Sequence, residues 1–218
     1  MAASETESSW AGNGPLRERL ELWSAALLAA ATLTTAYSAY EATRWGGQQS
    51  TRFTQAGAAR TESAKAQSRG FSFITIDAGL FTEYAVAYST RNEELREILE
   101  RRFFRDEFKP AFNAWLRTEP LKDPEAPDTP FGLKQYRVAD LEESERLESE
   151  AEGLFEEGRE ANQTSDNYVL ATIFFAAVLF FGGLSVKFRT ARLVVATLSF
   201  GTLMFLAGIV RLVTLPFL

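Results

Sequence analysis

Polar and apolar positions are unevenly spread along this chain. Three stretches carry no charge at all: residues 22–40 (LWSAALLAAATLTTAYSAY), 168–186 (YVLATIFFAAVLFFGGLSV) and 193–210 (LVVATLSFGTLMFLAGIV). A helix of about 20 apolar residues, at ~1.5 Å per residue, covers a hydrocarbon core of ~30 Å. The pattern predicts three transmembrane helices, over 22–40, 168–186 and 193–215. A flexible amino-terminal tail is expected over 1–21. The first run is rich in Ala and Thr, which makes its insertion signal the weakest. Trp23 and Trp45 bracket that run and Tyr168 opens the second, so these three are the expected interface residues. The segment KFRTAR (187–192) joins the last two runs, and its three positive charges suit a tight hairpin loop.

Two other readings compete at the edges. Small residues around Ala36-Tyr37-Ser38 offer a signal-peptide cut, but Glu18 and Glu21 beside Arg17 and Arg19 make a poor leader. Residues 71–88 (FSFITIDAGLFTEYAVAY) are nearly apolar enough for a fourth span. Asp77 and Glu83 would then sit in hydrocarbon at several kcal/mol, so a helix packed inside an extramembrane domain is the expected arrangement.

Between the first and second spans, residues 41–166 are expected to form that helical domain. Arg91 to Arg117 shows apolar residues at i, i+3 and i+4 (Leu95, Ile98, Leu99, then Phe112, Trp115, Leu116), with a bend or a restart expected at Pro110. Pro120, Pro124, Pro127 and Pro130 make 119–131 a non-helical loop. From Gln135 the helical pattern resumes, with an apolar seam of Leu141, Leu147, Ala151, Leu154 and Ala161 suited to coiled-coil packing. In the first helix, Ala26, Ala30, Thr34, Ser38, Ala42 and Gly46 recur every four residues, and the series continues to Ala58. Such a ladder permits close helix contact, as do Gly201 and Gly208 in the third span. A kink is expected at Gly46-Gly47. The fold class is therefore an all-α membrane protein.

Charge sets the orientation and narrows the function. Positive short loops favour the cytoplasm. That places the amino terminus and loop 187–192 inside a cell (inner) membrane and residues 41–166 in the periplasm or outside. This domain holds 17 basic and 25 acidic residues, net −8, which argues against nucleic acid as a partner. The chain has no His and no Cys, which removes the usual general base and thiolate chemistry. No nucleotide-binding, zinc-protease or serine-hydrolase motif occurs. Glu142, Glu145, Glu148 and Glu152 share a helix face but lack a calcium-loop spacing, and Asp77 with Glu83 is poorly spaced for a catalytic pair. No enzyme activity, cofactor or metal is expected. The expected partners are the lipid bilayer and either a second copy (a homo-oligomer) or a membrane-protein partner. The aromatic group of Phe103, Phe104, Phe108, Phe112 and Trp115 is the candidate contact. The alternative is an oligomeric channel or transport accessory subunit, lined by Thr32, Thr35, Thr172 or Ser199.

The phrases AYSAYEATRWGGQQS, FKPAFNAWL, PFGLKQY and SDNYVLATIFFAAVLFFGGLS, taken together, resemble a family of uncharacterised bacterial membrane proteins. Its members have one helix, a long extramembrane segment and a closing helical hairpin. The resemblance covers roughly residues 30 to 186. It implies a bacterial membrane setting and carries no functional residues.

Overall fold

A computed structural model describes residues 14–218 except Leu121, Pro124 and Arg189. Every regular element among the described residues is helical. Helix α1 covers Gly14–Ser89 and α2 Glu93–Ile98, followed by a π-turn at Leu99–Phe103. Helix α3 covers Lys109–Leu116, a 3₁₀ turn Pro130–Gly132, α4 Ala139–Ser185 and α5 Ala191–Val213. Helices α1, α4 and α5 are long and apolar enough to cross a membrane. The described chain divides into two compact units. One takes the residues up to Thr54 with Leu154–Leu218, and the other is Gln55–Gly153.

Of the tail expected over 1–21, residues 1–13 lie outside the described residues and 14–21 are already helix. Pro15 falls in the first turn, where its missing N–H is no loss. Arg17 and Glu21 pair at 2.9 Å one turn apart. At Gly46-Gly47 helix α1 continues unbroken. It stops in a Schellman turn: the Arg91 N–H donates to the Tyr88 carbonyl at 3.1 Å and the Asn92 N–H to Ala87 at 2.9 Å. Arg91 takes the left-handed position, with φ 57°, and Asn92 caps α2 by accepting the Leu95 N–H at 3.1 Å.

In the first unit α1 and α4 run antiparallel and α5 packs on both. Buried positions on α1 step by three, four, seven and three residues, Ser24, Leu27, Ala31, Ser38 and Glu41, with Ala42 beside the last. That is the seven-residue seam of a coiled coil. The facing residues are small. The Ser24 hydroxyl donates to the Gly182 carbonyl at 3.3 Å, and Ser165 donates to the Ala42 carbonyl at 2.9 Å. Leu27, Ala31 and Val178 form an apolar cluster joined by Met204 and Phe205 of α5. Gly208 lets α5 approach α4: a Cβ there would lie 2.8 Å from Cε1 of the fully buried Phe175 and 3.2 Å from the Phe174 Cβ. Gly208→Ala is therefore expected to destabilise by about 1–3 kcal/mol through overpacking. That outweighs the ~1 kcal/mol alanine gains in helix propensity. Gly183→Ala, where a Cβ meets nothing within 4 Å, is expected to leave the thermal midpoint unchanged or raised. Melting both variants in detergent checks the contrast.

The second unit is built the same way at its helix pair. Ala56, Ala59, Ser63, Ala66 and Gly70 are buried on α1 at alternating spacings of three and four. The Ser63 hydroxyl donates to the Ser144 carbonyl at 2.9 Å, and Arg69 pairs with Asp140 at 2.8 Å. Beyond Gly70 the α1 face turns aromatic. Phe81 and Tyr84 pack with Leu99, Phe104, Phe108, Phe112 and Trp115, and Phe131, Leu133 and Tyr136 close over them. The helix restarts at Pro110 as expected, after a non-helical stretch at residues 104–108. Proline then sits in the first turn of α3, where it is tolerated. The π-turn ahead of it, closed by the Phe104 N–H on the Leu99 carbonyl at 2.9 Å, points Phe104 into the core and leaves Phe103 at the surface.

Candidate functional site

Two buried acids organise the two units, one in each. In the second unit Asp77 is completely buried. Arg105 grips it with two hydrogen bonds, Nε to Oδ1 at 3.0 Å and Nη2 to Oδ2 at 2.9 Å. Tyr136 donates its hydroxyl to Oδ2 at 3.1 Å. The Arg105 guanidinium also lies over the Phe73 ring, 4.3 Å from its centroid. The hydrogen bond to Asp77 holds the Arg105 proton more tightly than usual. Burial, reinforced by the Asp77 charge, pushes the Tyr136 hydroxyl above its ordinary range. The three side chains tie α1 to the segment before α3 and to the segment before α4. Glu83 is exposed on the same helix, so the two acids of residues 71–88 do not meet.

In the first unit the buried acid is Glu41. Its Oε1 lies 3.4 Å from Arg44 Nη1, and its Oε2 accepts the Leu218 N–H at 3.3 Å. Arg44 also donates to the Leu218 carbonyl, and Tyr168 donates to the Pro216 carbonyl at 3.0 Å. Side chains of α1 and α4 thus hold backbone atoms of Pro216 and Leu218. One turn either side of Glu41, two donors are buried without an acceptor among the described residues: the Ser38 hydroxyl and the Trp45 indole N–H.

Of the expected packing ladder, Ser38 and Ala42 are buried, Ala30, Thr34 and Gly46 are half-buried, and Ala26 is exposed. Gly201 and Gly208 are both buried. A strict four-residue step advances ~40° per residue pair around a helix, so it leaves any one face, whereas alternating threes and fours stay on it. Of the expected interface residues, Trp23 is exposed and its indole donates to Thr202 at 3.3 Å. Tyr168 is buried at 1% exposure. Arg211 is half-buried and donates to Asn167. The hydroxyls of Thr32, Thr35 and Thr172 bond carbonyls of their own helix at 2.8, 2.7 and 2.6 Å. On α4, Glu142 is taken up by Arg137 through bonds of 2.6 and 2.8 Å, and no three carboxylates among the described residues converge on a metal-sized point.

Glu41 was not singled out by sequence, because a charge there reads as the end of a span. Its phase with Ser24, Leu27, Ala31 and Ser38 is the signal that finds it. No protein-family profile, curated protein or solved structure matches this chain.

Proposed function

We propose that this chain is a non-enzymatic integral membrane protein that spans the bilayer three times, with residues 41–166 forming a helical domain outside the membrane. That domain serves self-assembly or contact with a partner membrane protein. The observation that carries the membrane assignment is the inverted surface of the first unit. Leu33 is 73% exposed, Ile173 60% and Val210 63%, while Ser24, Ser38, Glu41 and Ser185 are among its most buried residues. Water would drive the opposite distribution, and a face this apolar needs a lipid or protein covering. The pore alternative gains no support from Thr32, Thr35 and Thr172, whose hydroxyls bond carbonyls of their own helices.

The absence of Cys makes a topology test clean. Single cysteines at Asp128 and Thr190, introduced in turn, are expected to differ. Asp128→Cys labels with an impermeant maleimide from the periplasmic side, and Thr190→Cys labels only after the membrane is opened. The chain is expected to stay with carbonate-washed vesicles. Its release, or equal labelling of both positions in sealed spheroplasts, sinks the proposal.

A further inference from the structure

We propose that the loop between α4 and α5, together with the start of α1, is a docking surface for anionic phospholipid headgroups. The proposal rests on the membrane reading. Loop 187–192 carries three basic residues and no acid, in a chain whose net charge is −6. Many cations elsewhere are matched: Arg52, Arg69, Arg105, Arg137, Arg146 and Arg159 each meet a carboxylate at 3.0 Å or less. Lys187 and Arg192 are exposed and make no ion pair among the described residues, and the same holds for Arg19 near the start of α1.

The surroundings of these cations select a lipid. The loop joins the uncharged runs 168–186 and 193–210, so it stands where hydrocarbon ends. Val186 and Leu193 are exposed on either side of it, and Leu22 and Trp23 are exposed just past Arg19. Cations beside exposed apolar side chains fit a molecule that carries an anion and hydrocarbon together, which a soluble phosphate does not. The two segments meet in the first unit. Arg17, Leu20 and Ser24 of α1, Val186 and Phe188 of the loop and Val194 of α5 line one cavity. Arg17 is engaged by Glu21 at 2.9 Å, which leaves Arg19, Lys187 and Arg192 to meet phosphate. Helix α5 begins at Ala191, and its N-cap Thr190 makes no side-chain bond to the first turn. The positive end of a helix dipole adds to the attraction for an anion. Basic residues clustered at the end of a span attract anionic lipid. A zwitterionic headgroup brings its own cation to the same place and gains less.

The test uses the full chain in vesicles of equal parts phosphatidylglycerol and phosphatidylcholine. Both lipids carry a phosphate diester, and only the first has a net charge. The chain is extracted in mild detergent and its retained lipid is quantified by mass spectrometry. Retention is expected to favour phosphatidylglycerol by about fivefold, the effect of one basic residue at an anionic surface. Lys187→Gln with Arg192→Gln is expected to bring the ratio near one. Arg102→Gln with Lys134→Gln removes the same charge from exposed positions of the second unit, and is expected to leave the preference in place. Washing in about 0.5 M salt is expected to reduce it, because exposed charges are screened. Soluble glycerol phosphate is expected not to displace the lipid. Displacement by it at concentrations matching the lipid would make the ligand a free anion and overturn the lipid assignment. Equal retention by the unaltered chain, or equal loss of preference in the two double variants, overturns the surface while leaving the membrane reading intact. Release from carbonate-washed membranes instead fails the membrane reading itself.

Discussion

Asp77→Ala is expected to destabilise the second unit by about 3 kcal/mol, near the low end for breaking a buried ion pair. The cost comes from what is left behind. Asp77 is fully buried while Arg105 keeps 18% exposure and a second acid, Glu107, at 3.5 Å. The stranded guanidinium therefore recovers part of its solvation, which holds the loss below the upper limit. Tyr136 loses its acceptor as well. Removing both charges together, in Asp77→Ala with Arg105→Met, is expected to cost less than Asp77→Ala alone, because no uncompensated charge remains. Urea unfolding followed by tryptophan fluorescence checks the series. A double variant as unstable as the sum of its parts would mean the pair is not coupled as the geometry requires.

The same cluster has a pH dependence at its alkaline edge. The Tyr136 hydroxyl titrates higher in the folded protein than in an unfolded chain. A group whose folded value is raised contributes stability that is fully present below its unfolded value, near 10 for tyrosine. That contribution is lost as pH climbs through the raised folded value. Ionising Tyr136 would set its oxygen against the Asp77 carboxylate it now donates to.

What could be read without coordinates follows from which interactions are local. The three uncharged runs are legible because length and apolarity in one unbroken stretch are local properties, and α1, α4 and α5 have both. The proline loop is legible because each proline breaks helix by itself. The pairing of Asp77 with Arg105 and Tyr136 is not, since those partners lie 28 and 59 residues away. Nor is the bond that Glu41 accepts from the Leu218 N–H, 177 residues away, although the phase of Glu41 on the α1 seam is. The small-residue ladder has a period of four in the sequence, and the seam runs at three and a half. A composition rich in Ala and Ser supports either period until a facing helix selects one.

The aromatic group of residues 103–115 shows how that distinction bears on function. By sequence all five residues are candidates for partner contact. The structure gives four of them to the core: Phe104, Phe108, Phe112 and Trp115 are buried, and Phe103 is 56% exposed. Phe108 has no exposed surface and meets the rings of Phe104, Phe131 and Tyr136 at 5.0, 5.6 and 6.0 Å. Phe108→Ala is therefore expected to cost about 3–5 kcal/mol, the usual loss for a buried phenylalanine. The rings around the cavity it leaves are held on three separate segments and cannot all close in. Phe103→Ala is expected to change stability by less than about 0.5 kcal/mol, as surface substitutions do. If the domain assembles with itself or a partner through this region, Phe103 is the ring that remains to make the contact. The pair of variants then separates folding from association. Phe108→Ala lowers the unfolding midpoint, whereas Phe103→Ala leaves the midpoint in place and reduces the cross-linked species formed in native membranes. Cross-linking unchanged by Phe103→Ala would move the contact elsewhere on the domain, and only monomer in the unaltered protein would remove self-assembly and partner binding together.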